Sequence, residues 1–94
     1  MAEDAPLKDL IDKMLRSYGL GPKLDEVKLI KVWEEVVGQM IARHCKDLYF
    51  REGTLTVIID SAPLRQELSL ARSKLIEKLN QKMGKRMVDK LVLK

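Results

Sequence analysis

The chain has 94 residues, 46% of them hydrophobic and 34% charged, and a formal net charge of +4. That is material for one hydrophobic core, so a single domain over residues 1–94 is expected, with a radius of gyration of about 12 Å and no space for a deep catalytic cavity. One cysteine cannot close an internal disulfide, and no apolar run approaches the roughly 20 residues that cross a bilayer, which excludes disulfide scaffolds and membrane spans.

The first helix is expected from Asp4, an N-cap with Pro6 in the first turn, to Ser17. Leu7, Leu10, Ile11, Met14, Leu15 and Tyr18 recur at steps of three and four, so the helix should pack by that stripe, with Met1 to Asp4 frayed. Gly19, Gly21 and Pro22 stop it. A second helix from about Asp25 to Arg43 places Leu29, Ile30, Trp33, Val36, Val37, Met40 and Ile41 on one broad face. Trp33 is its core anchor and its indole N–H needs a polar partner. Gly38, costly inside a helix, implies that a backbone or a bulky ring passes close to it.

From Lys46 the period changes to two. Leu48 and Phe50 face one way, Tyr49 and Arg51 the other. A turn at Glu52 and Gly53 leads into a second strand, in which Leu55, Val57 and Ile59 alternate with Thr54, Thr56 and Ile58. Ser61 and Pro63 open a long helix with the stripe Leu64, Leu68, Ala71, Leu75 and Leu79, ended by Gly84. Alternation returns from Val88 to Lys94, predicting a third strand. The order α-α-β-β-α-β describes an α+β fold of two layers, a three-stranded sheet covered by helices.

Charge is unevenly distributed. Residues 1–60 carry nine Lys/Arg against eleven Asp/Glu, whereas residues 61–94 carry nine against three. Lys74, Lys78 and Lys82 form an i, i+4, i+8 row, in which like charges repel by a few tenths of a kcal/mol per pair, roughly, and only Glu77 is close to offset them. Arg65 and Arg72 on the same helix, with Lys85 and Arg86 after it, extend the row into an expected nucleic-acid-binding patch. With four aromatic residues in all, two of them (Trp33 and Phe50) expected to be buried, contacts should go mainly to phosphates and weaken with salt.

His44 and Cys45 are the sole imidazole and thiol, but adjacent side chains diverge on a helix or a strand, so they make no nucleophile–base pair. Two ligands do not complete a zinc site, and Gly19-Leu20-Gly21 follows a helix where a dinucleotide fingerprint follows a strand. Neither an enzyme nor a cofactor is expected. Glu34, Glu35, Asp9 and Asp12 are read as surface residues paired with neighbouring cations. The acidic beginning MAEDAPLKDL, unlike the basic start of a signal peptide, leads us to expect a cytoplasmic location.

The ordered run Trp33-Glu34-Glu35-Val36-Val37-Gly38, Ile41-Ala42-Arg43-His44, Gly53-Thr54-Leu55-Thr56-Val57, Leu64-Arg65-Gln66-Glu67-Leu68, Leu79-Asn80 and Gly84 resembles the DciA family over about Leu7 to Leu93. The resemblance implies a KH-like domain and a role in bacterial DNA replication, assisting the loading or operation of the DnaB-type replicative helicase and binding single-stranded DNA. Longer members carry an additional basic region whose contacts are not carried over, and an aromatic residue often stands at the position of Leu64. Cys45 and His44 cannot supply the zinc ribbon of older family descriptions. Gly84-Lys85-Arg86-Met87 has one glycine where a KH loop has two, which disfavours KH-type RNA clamping. The reading is a non-enzymatic adaptor. The alternatives are a small KH-like RNA-binding module and a pure protein-interaction domain whose basic face meets an acidic partner.

Overall fold

Buried hydrophobic side chains from three helices and two strands, with half-buried ones from the third strand, meet in one core on one face of a three-stranded sheet. The computed structural model describes residues 4–94, with side chains from Pro6 onward. Of the residues expected to fray, Met1 to Asp4, the first three lie outside the described residues and the backbone of Asp4 begins the first helix; the capping side chain of Asp4 also lies outside them. The chain runs through α1 (Asp4–Ser17), α2 (Gly21–Val37), α3 (Gln39–Ala42), β1 (Cys45–Arg51), β2 (Thr54–Ile59), α4 (Ala62–Leu70), α5 (Arg72–Met83) and β3 (Lys90–Leu93). The α+β class and the order of elements are those expected, except that two of the long helices are each divided.

β2 lies at the centre, antiparallel to β1 and parallel to β3. The parallel pairing needs a crossover, which α4 and α5 supply as they pass over the sheet. Leu55, Val57 and Ile59 point from β2 into the helices, where they meet Leu91, Leu68, Leu75, Leu79, Leu29 and Trp33. Trp33 is fully buried, and its indole N–H finds no hydrogen-bond partner among the described residues, contrary to expectation. Phe50 is half-buried at the edge of this core.

The hairpin turn needs positive φ at both central residues, 49° at Glu52 and 80° at Gly53, the geometry whose twist matches that of the flanking strands. The carbonyl of Gly53 also accepts from the N–H groups of Asp89 and Lys90, at 2.7 and 3.1 Å, and so starts β3. A Cβ at Gly53 would stand 2.6 Å from Oδ2 of Asp89. Gly53→Ala is expected to lower the unfolding free energy by about 1–2 kcal/mol, read as a shift in urea midpoint. An unchanged midpoint would contradict this account of the turn.

Four features of the helices depart from expectation. α2 begins at Gly21, earlier than Asp25, because Pro22 in a first turn forfeits no intrahelical hydrogen bond. Gly38 is a stop, not a close approach: its φ is 85°, and a Cβ there would meet nothing within 4 Å. The helix therefore ends at Val37 and restarts as α3, which turns Met40 out to 72% exposure. The long third helix breaks at Ala71, where φ is −100° and ψ 13°, so Ala71 leaves the apolar stripe and is exposed.

The largest departure is α1. Leu7, Leu10, Ile11, Met14 and Tyr18 are all exposed, so the stripe does not enter the core. The helix is tied to α2 by ion pairs instead, Arg16 to Asp25 at 2.8 Å and Lys28 to Asp12 at 3.4 Å. A helix lying outside the core also accounts for a radius of gyration of 14.6 Å, larger than the value expected from chain length. Among the described residues, no helix is long and apolar enough to cross a membrane.

Candidate nucleic-acid interface

Every residue of α5 but Ser73, Ile76 and Asn80 has high helix propensity, and its apolar positions Leu75 and Leu79 are buried against α2 and the sheet. Fixing that face puts Lys74, Lys78 and Lys82 on the outer side, one turn apart. Gly84, left-handed at φ 77°, closes the helix. The following turn is held by Asn80. Its Oδ1 accepts from the N–H groups of Met87 and Val88 at 2.9 and 2.8 Å, and its Nδ2 donates to the Val88 carbonyl at 3.0 Å.

The seven expected cations are distributed unequally. Lys74 and Lys78 are exposed and have no carboxylate partner among the described residues. Lys82 reaches Glu35 at 3.6 Å and Arg86 reaches Asp89 at 3.5 Å, both loose pairs open to solvent. Lys85 is bound tightly to Asp25, whose carboxylate also holds Arg16. The guanidinium of Arg16 and then the ammonium of Lys85 hold the Asp25 carboxyl at about 2, against the opposing effect of partial burial. Arg72 donates to Ser69 Oγ at 3.1 Å. Arg65 lies on α4, half-buried, donating to the Ile59 carbonyl at 3.1 Å, and its buried Nε has no partner among the described residues. One outer face of α5 thus gathers Lys74, Lys78 and Lys82; Arg65 and Arg72 are turned to local contacts.

Asp25 and Asn80 position the basic turn, whereas sequence analysis reads Asp25 only as a helix start and Asn80 only as part of the family-like run. The partners of each lie across the fold or in an irregular segment, where no period marks them.

His44 and Cys45 are engaged separately. Nδ1 of His44 is 2.9 Å from Asp60 and Lys46 is 3.2 Å from the same carboxylate, an arrangement that keeps the Asp60 carboxyl below its usual range. The Cys45 thiol donates to the Ile41 carbonyl at 3.5 Å. Burial pushes that thiol up. Ser61, although adjacent to Asp60, uses its hydroxyl to accept from Leu64 N as the cap of α4. Among the described residues, no cluster of three or more His, Cys, Asp or Glu is placed to hold a metal ion.

The family model described as "Dna[CI] antecedent, DciA" matches residues 6–93. The chain belongs to the DciA family. Among similar curated proteins of this DciA-family chain is a UPF0232 protein of Rhodococcus jostii, 28% identical over 86 residues, covering 92% of this chain and 46% of the relative. Another, from Mycolicibacterium smegmatis, is named a UPF0232 protein in the recF-gyrB intergenic region; it is 31% identical over 78 residues, covering 83% of this chain and 40% of the relative. This DciA-family chain spans less than half the length of the curated relatives it matches.

Proposed function

We propose that this chain is a non-enzymatic adaptor of DNA replication that binds the DnaB-type replicative helicase and single-stranded DNA and so assists helicase loading. The observation that carries the reading is the match of nearly the whole chain to a family described as a Dna[CI] antecedent. The exposed lysine row on α5 supports the DNA-binding half, because ammonium groups without carboxylate partners release counterions when they meet phosphates. Lys74 and Lys78, with Lys82 and Arg86 exchanging loose carboxylates for phosphates, make about four contacts, for which the log–log dependence of affinity on salt has a slope near −3.

Co-purification of the chain with the DnaB-type helicase of its host tests the adaptor reading, and absence of association at micromolar concentration defeats it. The DNA half is tested by replacing Lys74 and Lys78 together with glutamate. Affinity for a labelled single strand should fall by about tenfold or more and the salt slope should flatten by about 1.4. An unaltered slope removes α5 from the interface. The uncovered apolar stripe of α1 favours a second reading, a domain that acts through protein contacts alone. That reading predicts helicase association with no measurable affinity for DNA or RNA.

A further inference from the structure

A lysine row on a helix attracts duplex and single-stranded DNA alike, because both present phosphates. We propose that the uncovered face of the sheet is a separate subsite for single-stranded DNA, with an unpaired base stacked on Tyr49 and the flanking phosphates held by Arg51 and Lys90. The inference rests on the reading of the chain as a DNA binder and adds the surface that distinguishes one strand from two.

The helices reach the core from the side of Leu55, Val57, Ile59 and Leu91. Strand alternation sends Tyr49 and Arg51 of β1, Thr54, Thr56 and Ile58 of β2, and Lys90 and Val92 of β3 to the other side. The registers align these residues in rows: Tyr49, Thr56 and Val92 in one, Arg51, Thr54 and Lys90 in the next. Thr56, on the central strand between Tyr49 and Val92, is only 6% exposed. The result is a small shelf whose aromatic member, Tyr49, is itself 42% exposed.

The charge of the shelf selects its occupant. Arg51 and Lys90 are exposed, and among the described residues neither has a carboxylate within ion-pair distance. They stand about 10 Å apart across the sheet and about 7 Å along the strands from the row of Tyr49. Asp47, the acidic strand residue of this face, opposes Ile58 at the far end of β1, about 13 Å along the strand from Arg51, whereas Glu52 and Asp89, beside Arg51 and Lys90 in the chain, line the helix side with Phe50 and Asp25. An aromatic ring flanked by two free cations fits a base with its neighbouring phosphates. The internal bases of a duplex cannot use it, because they are stacked on one another and offer no free face. Stacking on one ring is tolerant of base identity, so the subsite reads strandedness with little dependence on sequence.

The experiment compares binding of a fluorescein-labelled dT12 strand and a 12-base-pair duplex to the full chain. Tyr49→Ala should reduce the preference for the single strand by about fivefold or more, and Tyr49→Phe, which keeps the ring, should recover most of it. Joint replacement of Arg51 and Lys90 by alanine should flatten the single-strand salt slope by about 1.4. Because an edge-strand substitution can disturb folding, the wild-type chain supplies an independent measurement: dT12 should shift the backbone amide resonances of Tyr49, Thr56 and Val92.

Unmoved amides on the sheet under saturating dT12, with shifts confined to α5, overturn the subsite and leave DNA binding standing. A strand preference unaffected by Tyr49→Ala does the same. Markedly tighter binding of the matched RNA overturns the assignment to DNA. If the wild-type chain binds neither oligonucleotide, the underlying DNA-binding reading falls together with the subsite.

Discussion

Replacing Asn80 by alanine is expected to lower the unfolding free energy by about 3 kcal/mol. The estimate follows from what the amide does. Two backbone N–H groups, of Met87 and Val88, share Oδ1 as acceptor, and the Val88 carbonyl takes Nδ2 as donor. Val88 is 1% exposed, so water cannot replace these bonds without opening the segment between α5 and β3. Loss of an acceptor from a buried N–H costs about 1–3 kcal/mol, more than a surface hydrogen bond, because the desolvated group is left without a partner. Asn80→Asp keeps the acceptor and removes the donor, so its loss should be smaller. Urea denaturation of the three proteins checks the order, and an alanine variant within 1 kcal/mol of the wild type, roughly the worth of a single ordinary hydrogen bond, would refute the role given to Asn80.

The second large effect is a loss of stability in acid centred on Asp25. Its carboxyl, ordinarily near 3.8, lies at about 2 in the folded chain, held by Arg16 first and Lys85 next. A carboxyl lowered on folding contributes stability that is fully present above its unfolded value and disappears as pH falls toward the folded one. The window is therefore pH 4 down to 2, and the contribution is about 2 kcal/mol. Asp12 is lowered in the same direction, chiefly by Arg16, and steepens the fall. Asp25→Asn should lower stability at neutral pH and flatten its dependence on pH over this window. The substitution also releases the Lys85 ammonium, so nucleic-acid affinity should rise while stability falls. Denaturation at pH 7, 4, 3 and 2 tests the linkage, and an asparagine variant with an undiminished acid loss would refute it.

These two residues show where sequence reading stops. Leu55, Val57 and Ile59 declare a strand because each is two residues from the next, and Lys74, Lys78 and Lys82 share a face because each is four from the next. Such relations are set by neighbours in the chain. The ion pair between Lys85 and Asp25 spans 60 positions, and no period connects its members. The break at Ala71 is equally silent, since alanine is a favourable helix residue and the turn there follows from how α4 and α5 pack on the sheet.

Sequence by itself determined the class of fold, the order of its elements, the hairpin, the buried place of Trp33 and the lysine row on one helix. Those depend on amphipathic period and turn chemistry, which act within a few residues. Tertiary structure alone decided that the stripe of α1 stays outside the core, that Lys85 and Arg65 are occupied while Lys74 and Lys78 have no carboxylate partner among the described residues, and that Tyr49, Arg51 and Lys90 share an open surface. Each of these depends on which distant carboxylate, carbonyl or strand register a side chain meets, a matter of packing in three dimensions.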